Sequence, residues 1–256
     1  MEIRRDLTGA SEYKDIQIEK AAAKIGISIR LTIAQAIQFM IGLLGEISIV
    51  ILTKDGRENV ICSNHSIFEL FDFAQFMEGF IRVEQTSTHW TFRGEIDLAG
   101  DGSIELLGNE YISLALTKIP VDAILSISTV ELPILTRECY KYNKGSLTID
   151  ERNKSITNNA HLFMILPKAG FQELKLDYNI NNKPTSSRLS QSDLVRTAEQ
   201  TNDINIVYTD PSTGTSIATY GAWYNHVLNI SQAHSLEINT DGLASYKFTT
   251  IEEQKL

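Results

Sequence analysis

The chain has 256 residues, of which 43% are hydrophobic and 21% charged, so it carries enough apolar material for a packed core and is not of the disordered class. Its net charge of −9 comes from 23 basic and 32 acidic residues. This balance argues against direct nucleic-acid binding, which needs clustered Lys and Arg to neutralise phosphates. The two cysteines, Cys62 and Cys139, form neither a disulfide framework nor a zinc motif.

Residues 1–24 differ in composition from the rest of the chain and are predicted to form an N-terminal arm or helix. Within them, Ser11–Lys24 combines Ile16, Ile18 and three consecutive alanines with charges of both signs, which is typical of an amphipathic helix or an ordered arm. The first residues lack the apolar stretch of a signal peptide, so we expect synthesis in a cytoplasm.

The stretch Ile25–Leu52 is strongly apolar, but its pattern favours strands over a membrane-spanning helix. Charged and amide side chains interrupt it, and both of its ends alternate with the two-residue period of a strand. The alternating residues are Ile27, Ile29, Leu31 and Ile33, then Ile47, Ile49 and Ile51. We therefore predict buried strands joined by a turn near Gly42–Gly45.

Further along the chain, short segments rich in β-branched and aromatic residues predict a series of strands. These segments are Trp90–Leu98, Ser103–Leu107, Tyr111–Leu116, Ala123–Glu131, Ser146–Asp150, His161–Leu166, Glu173–Tyr178, Ile204–Tyr208, Ile217–Tyr220, Trp223–Ile230, Ser235–Asn239 and Ala244–Ile251. Asp-Gly pairs at Asp55, Asp101 and Asp241 predict tight turns, because Gly adopts the positive φ that such turns need. Many short strands separated by turns indicate a sandwich or jelly roll.

Two helices are predicted in corresponding places of the two halves. The first spans Ser66–Met77 and opens with a capping box from Ser66 to Glu69. The second spans Ser190–Gln200, with Asp193 in the place of the glutamate. The two helix starts are 124 residues apart, and each helix follows a strand–turn–strand pattern.

The same offset of 124 residues relates the hydrophobic pattern of the halves, since Leu236 follows Ile112 at that spacing. A period this long in a chain of 256 residues predicts two copies of one domain and not a solenoid. With the N-terminal arm at 1–24, we predict a first domain at 25–134 and a second at 135–256.

Motifs for catalysis or cofactor binding are absent from the sequence. The five histidines are scattered, and there is no nucleophile elbow, phosphate loop or dinucleotide fingerprint. We therefore predict a non-enzymatic protein without a metal or cofactor.

The nearest approach to a metal motif begins at Asp97. Asp97 and Asp101 occupy the first and fifth positions of a calcium loop, but Ala99 stands at the third position. Gly108 stands at the twelfth position, where a bidentate glutamate is needed. We predict a hairpin turn between strands here.

The repeated order of strand, turn, strand, Ser-led helix and alternating strands carries a resemblance to a known family. The segments that carry it are 47–57, 66–70, 109–116 and 123–131 in the first half, and 173–178, 190–194, 235–239 and 246–251 in the second. This layout resembles the double jelly-roll major capsid proteins of membrane-containing icosahedral bacteriophages, especially the corticovirus-like members of the tectivirus and adenovirus lineage. The resemblance covers about Ile25 to Ile251, and Asn179–Ser187 and Asp210–Thr215 depart most from the first half.

The resemblance implies an all-β fold with a few short helices: two tandem eight-stranded β-sandwich jelly rolls, each with one short helix between strands. It implies a viral major capsid protein that forms homotrimeric, pseudo-hexameric capsomers of an icosahedral shell. In this family such a shell surrounds an internal membrane. The partners would be further copies of the chain, neighbouring capsomers, and minor capsid or membrane proteins. The protein would be made and assembled in the host cytoplasm and located in the virion capsid.

In such a shell the N-terminal arm would lie at the base, near the membrane. Arg4, Arg5, Lys14 and Lys20 would then face anionic head groups. The alternative is an exposed terminus of mixed charge without that role.

Two other functional classes remain open from the sequence. One is a two-domain β-sandwich binding module, lectin-like or a phage receptor-binding protein, which would stack Trp223 and Tyr224 on a glycan. The other is a jelly-roll enzyme of the cupin type, which needs a His/Glu metal cluster that the sequence does not display.

Overall fold

The computed structural model describes residues 5–77, 81–167, 169–194, 205–209, 216–220 and 225–256, with the backbone alone at 5, 6, 205–209 and 216–220. Its strands are β1 Arg5–Leu7, β2 Tyr13–Ile18, β3 Lys24–Thr32, β4 Glu46–Leu52, β5 Glu58–Ser66, β6 Ile81–Gln85, β7 His89–Asp97, β8 Ser103–Ile104, β9 Tyr111–Thr117, β10 Ile124–Val130, β11 Leu135–Thr136, β12 Glu138–Leu147, β13 Asn153–Thr157, β14 His161–Pro167, β15 Phe171–Ile180, β16 Lys183–Ser190, β17 Asn205–Thr209, β18 Ser216–Tyr220, β19 Asn225–Asn229, β20 Ala233–Thr240 and β21 Tyr246–Lys255. The helices are α1 Ile33–Met40 and α2 Ile67–Phe76, and residues 191–194 are also helical.

The first half of the chain folds into two antiparallel sheets. One has the strand order β1-β10-β3-β7-β6 and the other β2-β9-β4-β5. Alternate residues of each strand point into the core, as a two-layer sandwich requires. In β3 and β9 these buried residues are Ile25, Ile27, Ile29, Leu31, Ile112, Leu114 and Leu116.

The second half repeats this arrangement, except that its described strands include no counterpart of β6. Its sheets have the orders β12-β21-β14-β19 and β13-β20-β15-β16. These correspond to β1-β10-β3-β7 and β2-β9-β4-β5, and each set of eight strands has the two-sheet layout of a jelly roll. Ile112 in β9 and Leu236 in β20 are buried at corresponding places, 124 residues apart. The predicted double jelly roll and its internal duplication are confirmed.

The chain divides into two compact units. The first is formed mainly by residues up to Lys141, with the last three residues Gln254–Leu256, and the second mainly by the residues from Tyr142 to Glu253. The domain boundaries predicted from the sequence stay a prediction, because a division into compact units does not show which part folds independently.

The N-terminal residues contribute strands. β1 pairs with β10, with Arg5 opposite Ile127, and β2 pairs with β9, with Ile18 opposite Ile112. Ile16 and Ile18 are buried against the sandwich core. The helix that was one alternative for Ser11–Lys24 is therefore wrong, because these isoleucines alternate with the period of a strand.

The predicted turn within Ile25–Leu52 is wrong in one respect, since α1 lies between β3 and β4. Thr32 caps this helix: its hydroxyl accepts from the N–H of Gln35 at 3.4 Å, and the Gln35 side chain accepts from the Thr32 N–H at 3.0 Å. This reciprocal capping box starts a helix where the alternating pattern alone predicts a continued strand. The first jelly roll thus has two helices and not the single one expected.

Other local predictions have mixed outcomes. Asn181 and Asn182, at φ values of 52° and 60°, form the turn between β15 and β16, in agreement with the strand–turn–strand pattern predicted before the second helix. Ser190 begins the second predicted helix, and it exchanges hydrogen bonds with Asp193. Residues 195–200 of that helix lie outside the described part of the chain. The segment at Ser103 is a strand of two residues that pairs in parallel with β11, so the predicted hairpin with β7 is wrong.

Helix α2 fills the space between the two sheets of the first jelly roll. Phe68 and Phe71 on α2 are fully buried with Phe39 of α1 and Phe92 of β7. The ring centroids of Phe39 and Phe92 lie 5.1 Å apart, and those of Phe39 and Phe68 lie 5.8 Å apart in an edge-to-face arrangement. The absence of a side chain at Gly94 permits this packing, because a Cβ there would lie 2.6 Å from the ring of Phe71.

Replacing this glycine is therefore expected to destabilise the first jelly roll. Gly94→Ala places a methyl group against the Phe71 ring and lowers the free energy of unfolding by about 1–3 kcal/mol, the usual cost of overpacking. Chemical denaturation measures this change. Ala115→Val, on the outer side of β9, is the control and changes the unfolding free energy by less than about 0.5 kcal/mol. Equal stability of Gly94→Ala and wild type would contradict the packing described.

A partly buried ion pair ties together several segments of the first unit. The Arg137 guanidinium donates to the Glu110 carboxylate at 2.5 Å and to the Glu105 carbonyl at 2.7 Å. The Arg137 carbonyl accepts from the N–H of Leu256. Glu110 is only 5% exposed, and the hydrogen bond from Arg137 is the largest cause that lowers the pKa of its carboxyl.

Replacing Arg137 with an uncharged residue is expected to leave the buried Glu110 carboxylate without its ion-pair partner. Arg137→Met lowers the free energy of unfolding by about 2 kcal/mol or more, whereas the double change Arg137→Met with Glu110→Gln costs less, since no charge is left buried. Arg57→Met breaks the exposed pair with Asp55 and serves as a control, with an unfolding free energy close to that of wild type. If Arg137→Met alone were as stable as the double variant, the stabilising role of this ion pair would be contradicted.

The same pair predicts a dependence on pH. Because the pKa of Glu110 is lowered on folding, its stabilising contribution is complete above the ordinary value of 4.5 and is lost as the pH falls through the lower value of the folded state. The unfolding midpoint of wild type therefore falls more steeply below about pH 4.5 than that of Glu110→Gln. Thermal unfolding across this pH range measures both slopes, and parallel slopes would contradict the assignment.

Candidate functional site

The basic residues predicted to contact a membrane lie in different parts of the first unit. Arg4 is outside the described residues, and the backbone of Arg5 pairs with Ile127 in the sheet of β1. Lys14 lies in β2, with an exposed side chain that pairs with Glu12 at 3.0 Å. Lys20 is exposed two residues beyond the end of β2.

The structure does not bring Lys14 and Lys20 into one patch. Lys14 is near the start of β2 and Lys20 lies beyond its end at Ile18, and the four residue steps of strand between Lys14 and Ile18 span roughly 13 Å at about 3.3 Å per residue. Arg5 belongs to the other sheet of the sandwich. Their contact with a lipid surface stays a prediction. No helix among the described residues is long and apolar enough to span a membrane.

The loop at Asp97 has the geometry of a turn. One Asp97 carboxylate oxygen accepts from the N–H groups of Ala99 at 3.2 Å and Gly100 at 2.8 Å. Burial raises the pKa of Asp97, while these two donors and Lys24 act against that shift. In the described residues, no three His, Cys, Asp or Glu side chains come together as they would around a metal ion.

Calcium is therefore expected to leave the stability unchanged, because the Asp97 carboxylate already holds backbone donors. The unfolding temperature should be the same in EDTA and in excess calcium chloride. Magnesium chloride at equal ionic strength controls for charge screening. A rise in the unfolding temperature with calcium alone would contradict this reading of the loop.

A polar groove of about 670 Å³ runs across the outer face of the sheet formed by β3, β7 and β10. Its floor is made of small residues, and charged side chains stand at its sides. The lining includes Gly26, Ser28, Ser126, Ser128, Arg93, Glu95 and Glu131. None of its lining residues is aromatic, so this groove lacks the stacking surface typical of a sugar site. Trp223 and Tyr224, the aromatic residues proposed for glycan binding, lie outside the described residues.

The most distinctive exposed surface is apolar and lies at one end of the first jelly roll. Helix α1 buries Ala36, Phe39 and Met40 and presents an isoleucine to solvent once per turn on its other side. We call the whole apolar area the isoleucine surface. It consists of Ile33, Ile37, Ile41, Leu43, Val121 and Ile124, which are 36%, 49%, 47%, 61%, 60% and 48% exposed.

Hydrogen bonds hold the parts of this surface together. The Gln35 side chain donates to the Asp122 carboxylate at 2.8 Å, which fixes the β9–β10 loop beside α1. The N–H of Gly45 donates to the carbonyl of Lys118 at 3.0 Å. The N–H of Leu43 donates to the carbonyl of Gln38 at 2.9 Å. The isoleucine surface is therefore built on ordered backbone and not on a free loop.

Sequence reasoning missed this surface because it treated Ile33 as the end of a strand. The spacing of Ile33, Ile37 and Ile41 after the pair Thr32 and Gln35 is a helical signal that identifies it. In the second jelly roll, the loops β12–β13 and β20–β21 correspond to part of this end. They carry Ile149 and Leu243, which are 60% and 81% exposed.

Comparison with known proteins identifies the fold. No family model and no curated protein matches the chain. Among solved structures, the major capsid protein of bacteriophage PM2 is similar with a TM-score of 0.56 at 9% sequence identity, over 100% of this chain and 98% of that one. A turret protein in Sulfolobus turreted icosahedral virus, also 9% identical over 99% of both chains, has a TM-score of only 0.19, which does not indicate a shared fold. The chain thus shares the double jelly-roll fold of a viral major capsid protein.

Proposed function

We propose that this chain is a viral major capsid protein that associates with copies of itself to form an icosahedral shell. The observation that carries the proposal is the similarity to the PM2 major capsid protein over essentially the full length of both chains. A similarity restricted to one jelly roll would be compatible with many functions, because single jelly rolls occur in lectins and enzymes as well.

The physical character of the chain supports this proposal. A shell subunit needs stable domains, and each half of the chain supplies a sandwich of two antiparallel sheets. It also needs contact surfaces that do not bury unpaired charge, and the isoleucine surface is of that kind. We infer a structural role without catalysis.

The finer arrangement follows from the same proposal. Three chains with two jelly rolls each would form a trimeric capsomer with six barrels, in keeping with the preference of oligomers for closed cyclic symmetry. An internal membrane, minor capsid proteins, contact of Arg4, Arg5, Lys14 and Lys20 with lipid, and assembly in the host cytoplasm belong to this proposal as well. The corticovirus-like lineage is the specific affiliation that we propose.

Self-association tests the proposal directly. Light scattering on the purified chain is expected to show a stable species of three times 28.7 kDa or larger, and negative-stain microscopy to show hexagonal outlines or shells. A protein that stays monomeric at every concentration and salt condition would contradict a shell function. In that case Trp-fluorescence protection by glycans would test the binding-module alternative.

A further inference from the structure

We propose that the isoleucine surface is a contact between copies of this chain, with the same surface of a second copy as its occupant. The inference rests on the proposed shell function. Because both copies use the same surface, the contact has two-fold symmetry, so it joins one capsomer to another and not the three chains within a trimer.

The first argument is the chemistry of the exposed helix face. Ile33, Ile37 and Ile41 project from one side of α1, and the eight residues of this helix include no charged side chain. A second copy can therefore approach this side without desolvating an ion, which is the main cost of burying polar surfaces. The stripe has a repeat of one helical turn, so two such stripes can interlock side chain to side chain.

The second argument is the size of the surface. Six large apolar side chains that are each between 36% and 61% exposed form a patch on the order of 500 Å², at the upper end for a monomeric protein. A stable interface buries about 800 Å² on each partner, with an apolar centre and a polar rim. The isoleucine surface matches the apolar centre of such an interface.

The third argument is the charge at its rim. Arg30, which is exposed, lies opposite Ile124 in the pairing of β3 with β10, and Asp122 lies two residues before Ile124. Lys118 and Glu46 pair with each other at 2.7 Å nearby. A rim with both signs of charge is compatible with a copy of itself, in which a cation on one partner faces an anion on the other.

The same charges disfavour a lipid surface as the occupant. Membrane-binding helices carry Lys and Arg on their polar face and use Trp or Phe at the lipid boundary. Helix α1 has no cation that could attract anionic head groups. A second copy of the chain that contacts the uncharged side of α1 fits these observations better than a lipid surface does.

The test compares two pairs of substitutions in the full-length protein. Ile37→Gln with Ile41→Gln removes apolar area from the isoleucine surface with a residue that favours helix as well as Ile does. Ile134→Gln with Ile180→Gln changes two other exposed apolar residues, 63% and 55% exposed, and is the matched control. Sedimentation velocity across a concentration series measures self-association, and circular dichroism with the unfolding midpoint measures folding.

We expect the first pair to weaken association beyond the trimer roughly tenfold or more, and the control pair to behave as wild type. If the glutamine pair unfolds, Ile37→Ala with Ile41→Ala repeats the test with a residue of higher helix propensity. Self-association of a folded surface variant equal to that of wild type would overturn the inference and leave the shell function standing. Wild-type protein that never associates would instead contradict the shell function itself.

Flotation with phosphatidylcholine vesicles tests whether a lipid surface, and not a second copy of the chain, covers the isoleucine surface. If wild type floats with vesicles, the Ile37→Gln and Ile41→Gln pair does not, and both associate equally in solution, the occupant is lipid and the inference is wrong. Absence of flotation for wild type together with weakened association of the surface variant supports the contact between copies.

Discussion

Each jelly roll depends on two sheets covering one another, because the strands carry apolar side chains on only one face. The alternation in β3, β4 and β9 places isoleucines and leucines on the inside with almost no exposure. Burial of these side chains is the main favourable term, at roughly 25 cal/mol per Å² removed from water. A sandwich has open ends, however, where loops must close the core.

In the first jelly roll, helices close one of these ends. Helix α2 is inserted between the sheets, and Phe39 of α1 packs with Phe68 and Phe92 to complete the closure. Gly45, with a φ of 71°, permits the return of the chain into β4, because a Cβ there would lie 2.6 Å from the Phe39 ring. Since α1 directs its aromatic side inward, its isoleucines remain on the outside. The apolar surface that we propose as a subunit contact is thus a consequence of how the core is closed.

Much of this fold could be predicted from the sequence, because its signals are local or periodic. The strands β3, β4, β9 and β10 follow the two-residue alternation, and α2 follows its capping serine, Ser66. The 124-residue offset revealed the duplication, since corresponding strands need similar patterns to fill similar places.

What the sequence did not show depends on contacts between distant segments. The strand β2 in the N-terminal region looked like a possible helix, because only its pairing with β9 decides between the two. The parallel pair β8 and β11 has two residues on each side, too few for a pattern. The helix α1 was hidden in an apolar run whose alternation continued to Ile33, and the capping pair of Thr32 and Gln35 was the signal that distinguished it. The exposed surface could not be predicted without knowing which side of α1 faces the core.

The central claim is that a duplicated jelly roll in one chain serves as the repeating unit of a shell. A cryo-electron microscopy reconstruction of the assembled protein tests it most directly. The account predicts a closed shell in which each chain contributes two barrel-shaped densities with strands that follow the two sets of sheets. Assemblies in which each chain contributes one barrel, or open aggregates without a repeating subunit, would contradict it.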